Sequence, residues 1–169
     1  MPDLNDHASL AAAARGIIDA TVYLTLATTC SDGHPWVSPV YYAARRYREF
    51  YWASGPDAVH SGNIARRPQV SLVIFDSRQS PHAGHAVYLI GVAEEVTDQP
   101  GIDRGLAVYP RPAEREQPPM TAADLLPPAA YRLYRATVSR AWVPCPRDHP
   151  DRPCAVHGRA VDHRISVTL

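Results

Sequence analysis

Apolar residues early in the chain recur at helical spacing. Leu10, Ala14, Ile17 and Ile18 fall on one side of an alanine-rich run, which predicts a helix over 9–20. The period then changes. Residues 21–28 are β-branched and aromatic and read as a strand. Ser31-Asp32-Gly33-His34 is a turn, and strand character resumes over 36–44. A polar stretch leads to a third strand over 50–54, broken by Gly55-Pro56-Asp57. Asp57 is placed to cap a short helix from Ala58 to about Arg66, which Pro68 ends. Strands are expected over 69–75, 86–96, 131–143 and 163–169, with Gly91 marking a bulge or a close backbone approach. A helix is expected over 102–108, and Thr121-Ala122-Ala123-Asp124 reads as a capping box.

This order has many strands, few helices and mostly antiparallel connections. It predicts a mainly β chain folded as a closed or split β-barrel, because a doubly wound sheet needs more crossover helices. The expected organisation is one domain over 1–169. It comprises an N-terminal helix within 1–20, a helical and proline-rich insertion over 101–128 and an irregular C-terminal loop over 144–160.

Composition narrows the function. The chain has 169 residues, 46% hydrophobic and 20% charged, in the globular range. Its 17 basic and 17 acidic residues cancel, which argues against a general nucleic-acid binder. No apolar run reaches the roughly 20 residues of a membrane helix. The first ten residues carry no basic cluster, so no secretory signal is expected. Cys30, Cys145 and Cys154 are an odd set, for which a reducing cytoplasm is the simpler setting. All 17 cations are arginine, so lysine Schiff-base chemistry is excluded.

One ordered set of motifs carries a resemblance. Ala27-Thr28, then Ser31-Asp32-Gly33-His34-Pro35-Trp36-Val37-Ser38-Pro39-Val40, is followed by Phe50-Tyr51-Trp52-Ala53-Ser54-Gly55 and by His60-Ser61-Gly62-Asn63-Ile64-Ala65-Arg66-Arg67-Pro68-Gln69-Val70-Ser71-Leu72. Over about 20–98 this resembles the pyridoxamine 5′-phosphate oxidase-like, FMN-binding split β-barrel proteins. The resemblance implies a homodimer with a flavin, FMN first, in each of two interface clefts, and an oxidoreductase acting on a small molecule. It places Trp36, Ser38, Pro39 and Val40 beside the flavin ring, and Ser54, His60, Ser61 and Asn63 at its phosphate. Family members that oxidise pyridoxamine phosphate usually have arginine where Ser38 stands and an Arg-Lys pair where Val59 and His60 stand. They also carry a C-terminal Arg-x-His-type motif that is missing here. These departures speak against vitamin B6 oxidase activity. Among relatives the same cleft also takes a deazaflavin coenzyme, and some split-barrel proteins bind haem without catalysis. Without the resemblance, a capped surface helix with an exposed His60 accounts for the same residues. No acid or base is assigned. The 101–128 insertion is a candidate lid, and Trp36, Tyr41, Trp52 and Trp142 are candidate apolar walls of the cleft.

Two further patterns carry chemistry. Cys145-x3-His149-x4-Cys154-x2-His157, with His163 nearby, offers soft ligands to zinc, but its spacing departs from the usual patterns. An ordinary proline-rich loop without zinc is therefore expected. His82, His85, His149, His157 and His163 all fall outside the proposed flavin site. Tyr131-Arg132-Leu133-Tyr134-Arg135 alternates, which predicts a barrel strand with one solvated arginine row. No serine sits in a G-x-S-x-G context, and no dinucleotide or Walker loop is found.

Overall fold

Period-two burial sets the strands. In β1 (Tyr23–Thr29) Leu24, Leu26 and Thr28 are buried while their neighbours are not, as in a sheet with one face on a core. The computed structural model describes residues 7–79, 85–111, 120–145, 152–154, 156–161 and 163–169. β1 pairs antiparallel with β2 (Pro35–Tyr41) across the expected turn. Gly33 adopts φ 93° there, which favours glycine, and the Asp32 carboxylate accepts from the His34 N–H at 3.1 Å.

The strand expected over 36–44 is two strands. Tyr42 turns into the core, 1% exposed, and its hydroxyl donates to the Ile18 carbonyl at 2.7 Å. Beyond it, β3 (Ala43–Arg45) pairs with β4 (Glu49–Ser54) instead of β1. The remaining strands are β5 (Gln69–Phe75), β6 (Ala86–Glu95), β7 (Arg132–Pro144) and β8 (Arg164–Val167). The hydrogen-bonded order is β2-β1-β5-β6-β7-β4-β3, with β8 added to β7. The two ends of that path, β2 and β3, are consecutive in the chain. The sheet must therefore curl back on itself at Tyr42, while the seam between β2 and β4 stays without a ladder. This is a split barrel.

Helix α1 (His7–Ala20) lays Leu10, Ala11, Ala14 and Ile18 into the main core with Leu24, Leu26, Phe50, Leu72 and Leu89. α2 (Val59–Arg66) follows β4 and packs on β1. Its N-cap is Ala58, without a side-chain cap, so Asp57 is not the capping residue. A side-chain cap forms at α3 (Gln99–Leu106), where the Asp98 carboxylate accepts from the Gly101 N–H at 2.8 Å. That cap starts the helix three residues before the expected Ile102. The Thr121–Asp124 capping box is present as a single 3₁₀ turn.

β4 buries both faces: Phe50, Tyr51 and Trp52 are each fully enclosed. Phe50 and Trp52 face the main core, where Trp52 stacks on Tyr134 at 5.8 Å. Trp52 is therefore a core residue and not a cleft wall. Tyr51 and Leu133 face outward into a second cluster with Ile102, Tyr109 and Leu125. At Gly105 a Cβ would lie 2.4 Å from Leu133 Cδ2 and 3.0 Å from Tyr51, so glycine lets α3 approach the sheet. The described part of the 101–128 insertion is thus a packed cover over β4 and β7, in place of the expected lid. The solvated arginine row is corrected as well. Arg135 pairs with Glu94 and, at 3.6 Å, with Glu49, and Arg132 lies 3.8 Å from Glu95. The expectation at Gly91 holds. The β6–β7 register shifts at Ile90/Gly91, and a Cβ there would sit 2.1 Å from the Thr137 carbonyl oxygen. Among the described residues no helix is long and apolar enough to cross a membrane.

Candidate functional site

Three elements converge where β4 ends and α2 begins. Ser38 stands on β2, Ser54 closes β4 and His60 lies in the first turn of α2. His60 Nε2 is 2.9 Å from Ser54 Oγ, and His60 Nδ1 is 3.2 Å from Ser38 Oγ. Trp36 Nε1 donates to the same Ser38 hydroxyl at 3.1 Å. Four of the expected residues therefore form one hydrogen-bonded chain across the barrel seam. The cause is local. Gly55-Pro56-Asp57 ends β4 and turns the chain, with the Ala58 N–H bonded to the Gly55 carbonyl at 3.1 Å, so α2 starts beside the end of its own strand.

The imidazole is partly buried, and that burial holds its pKa below the ordinary histidine value. At neutral pH it is neutral, with one ring nitrogen donating and the other accepting, and the hydroxyls rotate to match. Ser54 and His60 are close enough for a nucleophile–base contact. The group on the other ring nitrogen is a hydroxyl, however, and no carboxylate among the described residues orients the ring as acyl transfer needs. The cluster is a set of donors beside the first N–H groups of a helix, which have no partner within it. That arrangement suits an anion.

The other expected residues are placed differently. Ser61 is 3% exposed, and its hydroxyl donates to the Gly55 carbonyl at 2.9 Å. Asn63 is 1% exposed and holds α2 to β1. Its amide donates to Thr28 Oγ1 at 3.0 Å and to Cys30 Sγ at 3.5 Å, and it accepts from Arg66 at 3.2 Å. Val40 is buried in the main core. Ser61, Asn63 and Val40 are all buried in the packing around the cluster. Sequence reasoning missed Thr28 and Cys30 as the anchors of Asn63. The alternation of β1, which turns Thr28 inward, is the signal for the first of them. Pro39 is exposed and lines a separate open cleft of about 810 Å³ between α1 and the ends of β1 and β5, with Tyr23 and Phe75.

Of the five histidines set apart from this site, His82 and His149 lie outside the described residues. His157 and His163 lie with Cys145 and Cys154 at the β7–β8 end, each offering one ligand atom within 4.8 Å of the others.

No curated protein sequence matches the chain. Solved structures do match in fold. A haem-binding protein from Mycobacterium smegmatis superposes with TM-score 0.63 at 22% identity, over 98% of this chain and 59% of its own. An FAD-binding protein from Mesorhizobium loti gives TM-score 0.58 at 22% identity, over 79% and 92%. An F420 reductase gives TM-score 0.56 at 17% identity, over 76% and 94%. The family profile described as pyridoxamine 5′-phosphate oxidase matches residues 10–133, which span α1 through the start of β7 and include every residue of the serine–histidine cluster. The chain belongs to the pyridoxamine 5′-phosphate oxidase family.

Proposed function

We propose that this chain binds FMN in a cleft completed by a second copy of itself, and that it is an oxidoreductase acting on a small molecule. The observation that carries the reading is the Ser38–His60–Ser54 cluster at the N-terminus of α2. Two hydroxyls and an imidazole beside a helix N-terminus fit a phosphate, since donors and the helix dipole both favour negative charge. A protonated imidazole adds a charge-assisted bond. Trp36, held by Ser38, is exposed on β2 beside the cluster, where the ring would lie. A bound flavin supplies electron or hydride transfer. The chain itself supplies the phosphate donors, the wall of the cleft and an apolar edge.

Pairing of two copies is supported by the apolar surface of that edge. Trp36 and Val37 on β2 are 43% and 57% exposed, and Tyr23 and Phe75 stand uncovered by the neighbouring cleft. Such surface is commonly covered by two-fold association.

Haem is the second reading, favoured by one observation: the haem-binding structural neighbour matches 98% of this chain, including the C-terminal strand. A deazaflavin is the third, from the F420 reductase neighbour. An absorption spectrum of the purified protein, with sedimentation at micromolar concentration, separates them. A flavin spectrum travelling with a dimer is expected. A Soret band would transfer the assignment to haem, and a cofactor-loaded monomer would overturn the shared cleft.

A further inference from the structure

The β7–β8 end holds a second cluster that the flavin reading does not use. Cys145 follows β7 directly, and His163 precedes β8 directly. The Cys145 N–H donates to the His163 carbonyl at 2.9 Å, so strand pairing brings these two residues together. Cys154 and His157 come from the intervening connection. The Cys154 N–H donates to the Arg159 carbonyl at 2.9 Å, and the Gly158 N–H returns to the Cys154 carbonyl at 2.7 Å. Gly158 has φ 64°, the left-handed backbone that lets the chain reverse beside His157.

The donor atoms face one another. Cys145 Sγ and Cys154 Sγ are 3.5 Å apart, far beyond a disulfide bond. His157 Nδ1 lies 3.6 Å from the first sulfur and 3.3 Å from the second. Metal–ligand bonds of about 2.3 Å to sulfur and about 2.0 Å to nitrogen, set tetrahedrally, put sulfurs about 3.8 Å apart and sulfur about 3.5 Å from nitrogen. The observed separations are close to those edges.

His163 supplies an independent sign. Its Nδ1 faces the Val161 carbonyl at 3.3 Å, which selects the tautomer with the proton on Nδ1 and the lone pair on Nε2. That Nε2 is buried and has no hydrogen-bond partner. A backbone carbonyl behind one ring nitrogen and an open lone pair on the other is how metal-bound histidines are held. Burying such a lone pair without a partner is unfavourable, and a cation removes the deficit.

We propose that Cys145, Cys154, His157 and His163 bind one zinc ion. The ligand atoms are the two thiolate sulfurs, His157 Nδ1 and His163 Nε2. Two thiolates balance the charge of the ion, so no acidic side chain is required. Four protein ligands leave no open position, which makes the site structural rather than catalytic. Its role is to fix the long connection between β7 and β8 and to hold β8, only four residues long, against the main core, where Cys145, Cys154, Ile165 and Val167 are packed. The irregular spacing that spoke against zinc in the sequence is explained by the ladder, which brings His163 beside Cys145. The proposal does not depend on which redox cofactor the chain binds.

Metal analysis of the full-length protein, purified without chelator and under reducing conditions, tests it. One zinc per chain is expected, and cobalt exchanged into the same protein should show the intense visible bands of tetrahedral thiolate coordination. His163→Ala should lose the metal, while His149→Ala should keep it. Zinc-free protein from zinc-replete cells, a Cys145–Cys154 disulfide in that preparation, or octahedral cobalt bands would overturn the proposal. So would full zinc content in His163→Ala. The native-protein measurements decide the matter even where a variant does not fold.

Discussion

At the start of α2 both ring nitrogens of His60 have hydroxyl partners; at the β7–β8 end His163 Nε2 is buried with none. The first cluster is complete in hydrogen bonds and half open, so a ligand must add charge or exchange one partner for another. The second is nearly closed, with one ligand atom from each of four side chains turned inward. Hydroxyls and a neutral imidazole make a replaceable lining, whereas thiols and imidazoles at tetrahedral separations make a fixed joint. On the two proposals, the same residue type, histidine, would serve binding in one place and architecture in the other, and its partners decide which.

The widest separation between the two regions should come from chelation. Stripping the zinc should lower the unfolding free energy by about 4 kcal/mol or more, as loss of a structural metal commonly does. Flavin titration of the stripped, still folded protein should be unchanged. Denaturant unfolding with and without chelator checks this, and restored zinc should reverse it. Asn63→Ala should act the other way round. It removes the partner of Thr28, Cys30 and Arg66 inside the α2–β1 contact, at a cost of about 2 kcal/mol in stability. It should weaken FMN and leave zinc content at the native level.

Acidity offers a finer contrast. Burial holds the His60 pKa below its ordinary value in the free protein, and a bound phosphate would raise it. Binding then takes up a proton. FMN affinity is full below the free-state pKa, falls by at most about tenfold per pH unit between the free and bound values, and levels off above the bound value. Subtracting the profile of His60→Ala removes the phosphate's own titration. A native profile identical to that of the variant would break the link to His60. The smallest effect is expected from Trp36→Phe, which removes one exposed hydrogen bond to Ser38. It should cost about 1 kcal/mol or less in FMN binding and have no effect on zinc.

Where local pattern sets structure, the sequence was readable. β5 runs over Gln69–Phe75 as expected, and the Gly91 irregularity and the Thr121–Asp124 capping box are both present. Misreadings arose where a distant partner decides. Tyr42 interrupts a strand because the two halves pair with different neighbours. Trp52 is enclosed because β7 brings Tyr134 over it, and β4 buries both faces under an insertion whose length between two strands suggested a lid. Ser38, Ser54 and His60 could be chosen from motif order, but their mutual contacts depend on barrel closure. Val40, Ser61 and Asn63 belong to the same motifs and are buried. At the C-terminus Cys154-x2-His157 is a local turn, while the place of His163 beside Cys145 follows from pairing and not from spacing.

The most direct test of the central claim, a flavin phosphate held at the Ser38–His60–Ser54 cluster, is a paired titration of native protein and His60→Ala with FMN and with riboflavin, which has no phosphate. Loss of a hydrogen bond to a charged group costs about 1.5–3 kcal/mol, or roughly ten- to 150-fold in affinity. The account predicts that loss for FMN, near-equal riboflavin affinity in both proteins, and unchanged zinc content. FMN bound as tightly by His60→Ala as by the native chain would contradict it and place the phosphate elsewhere.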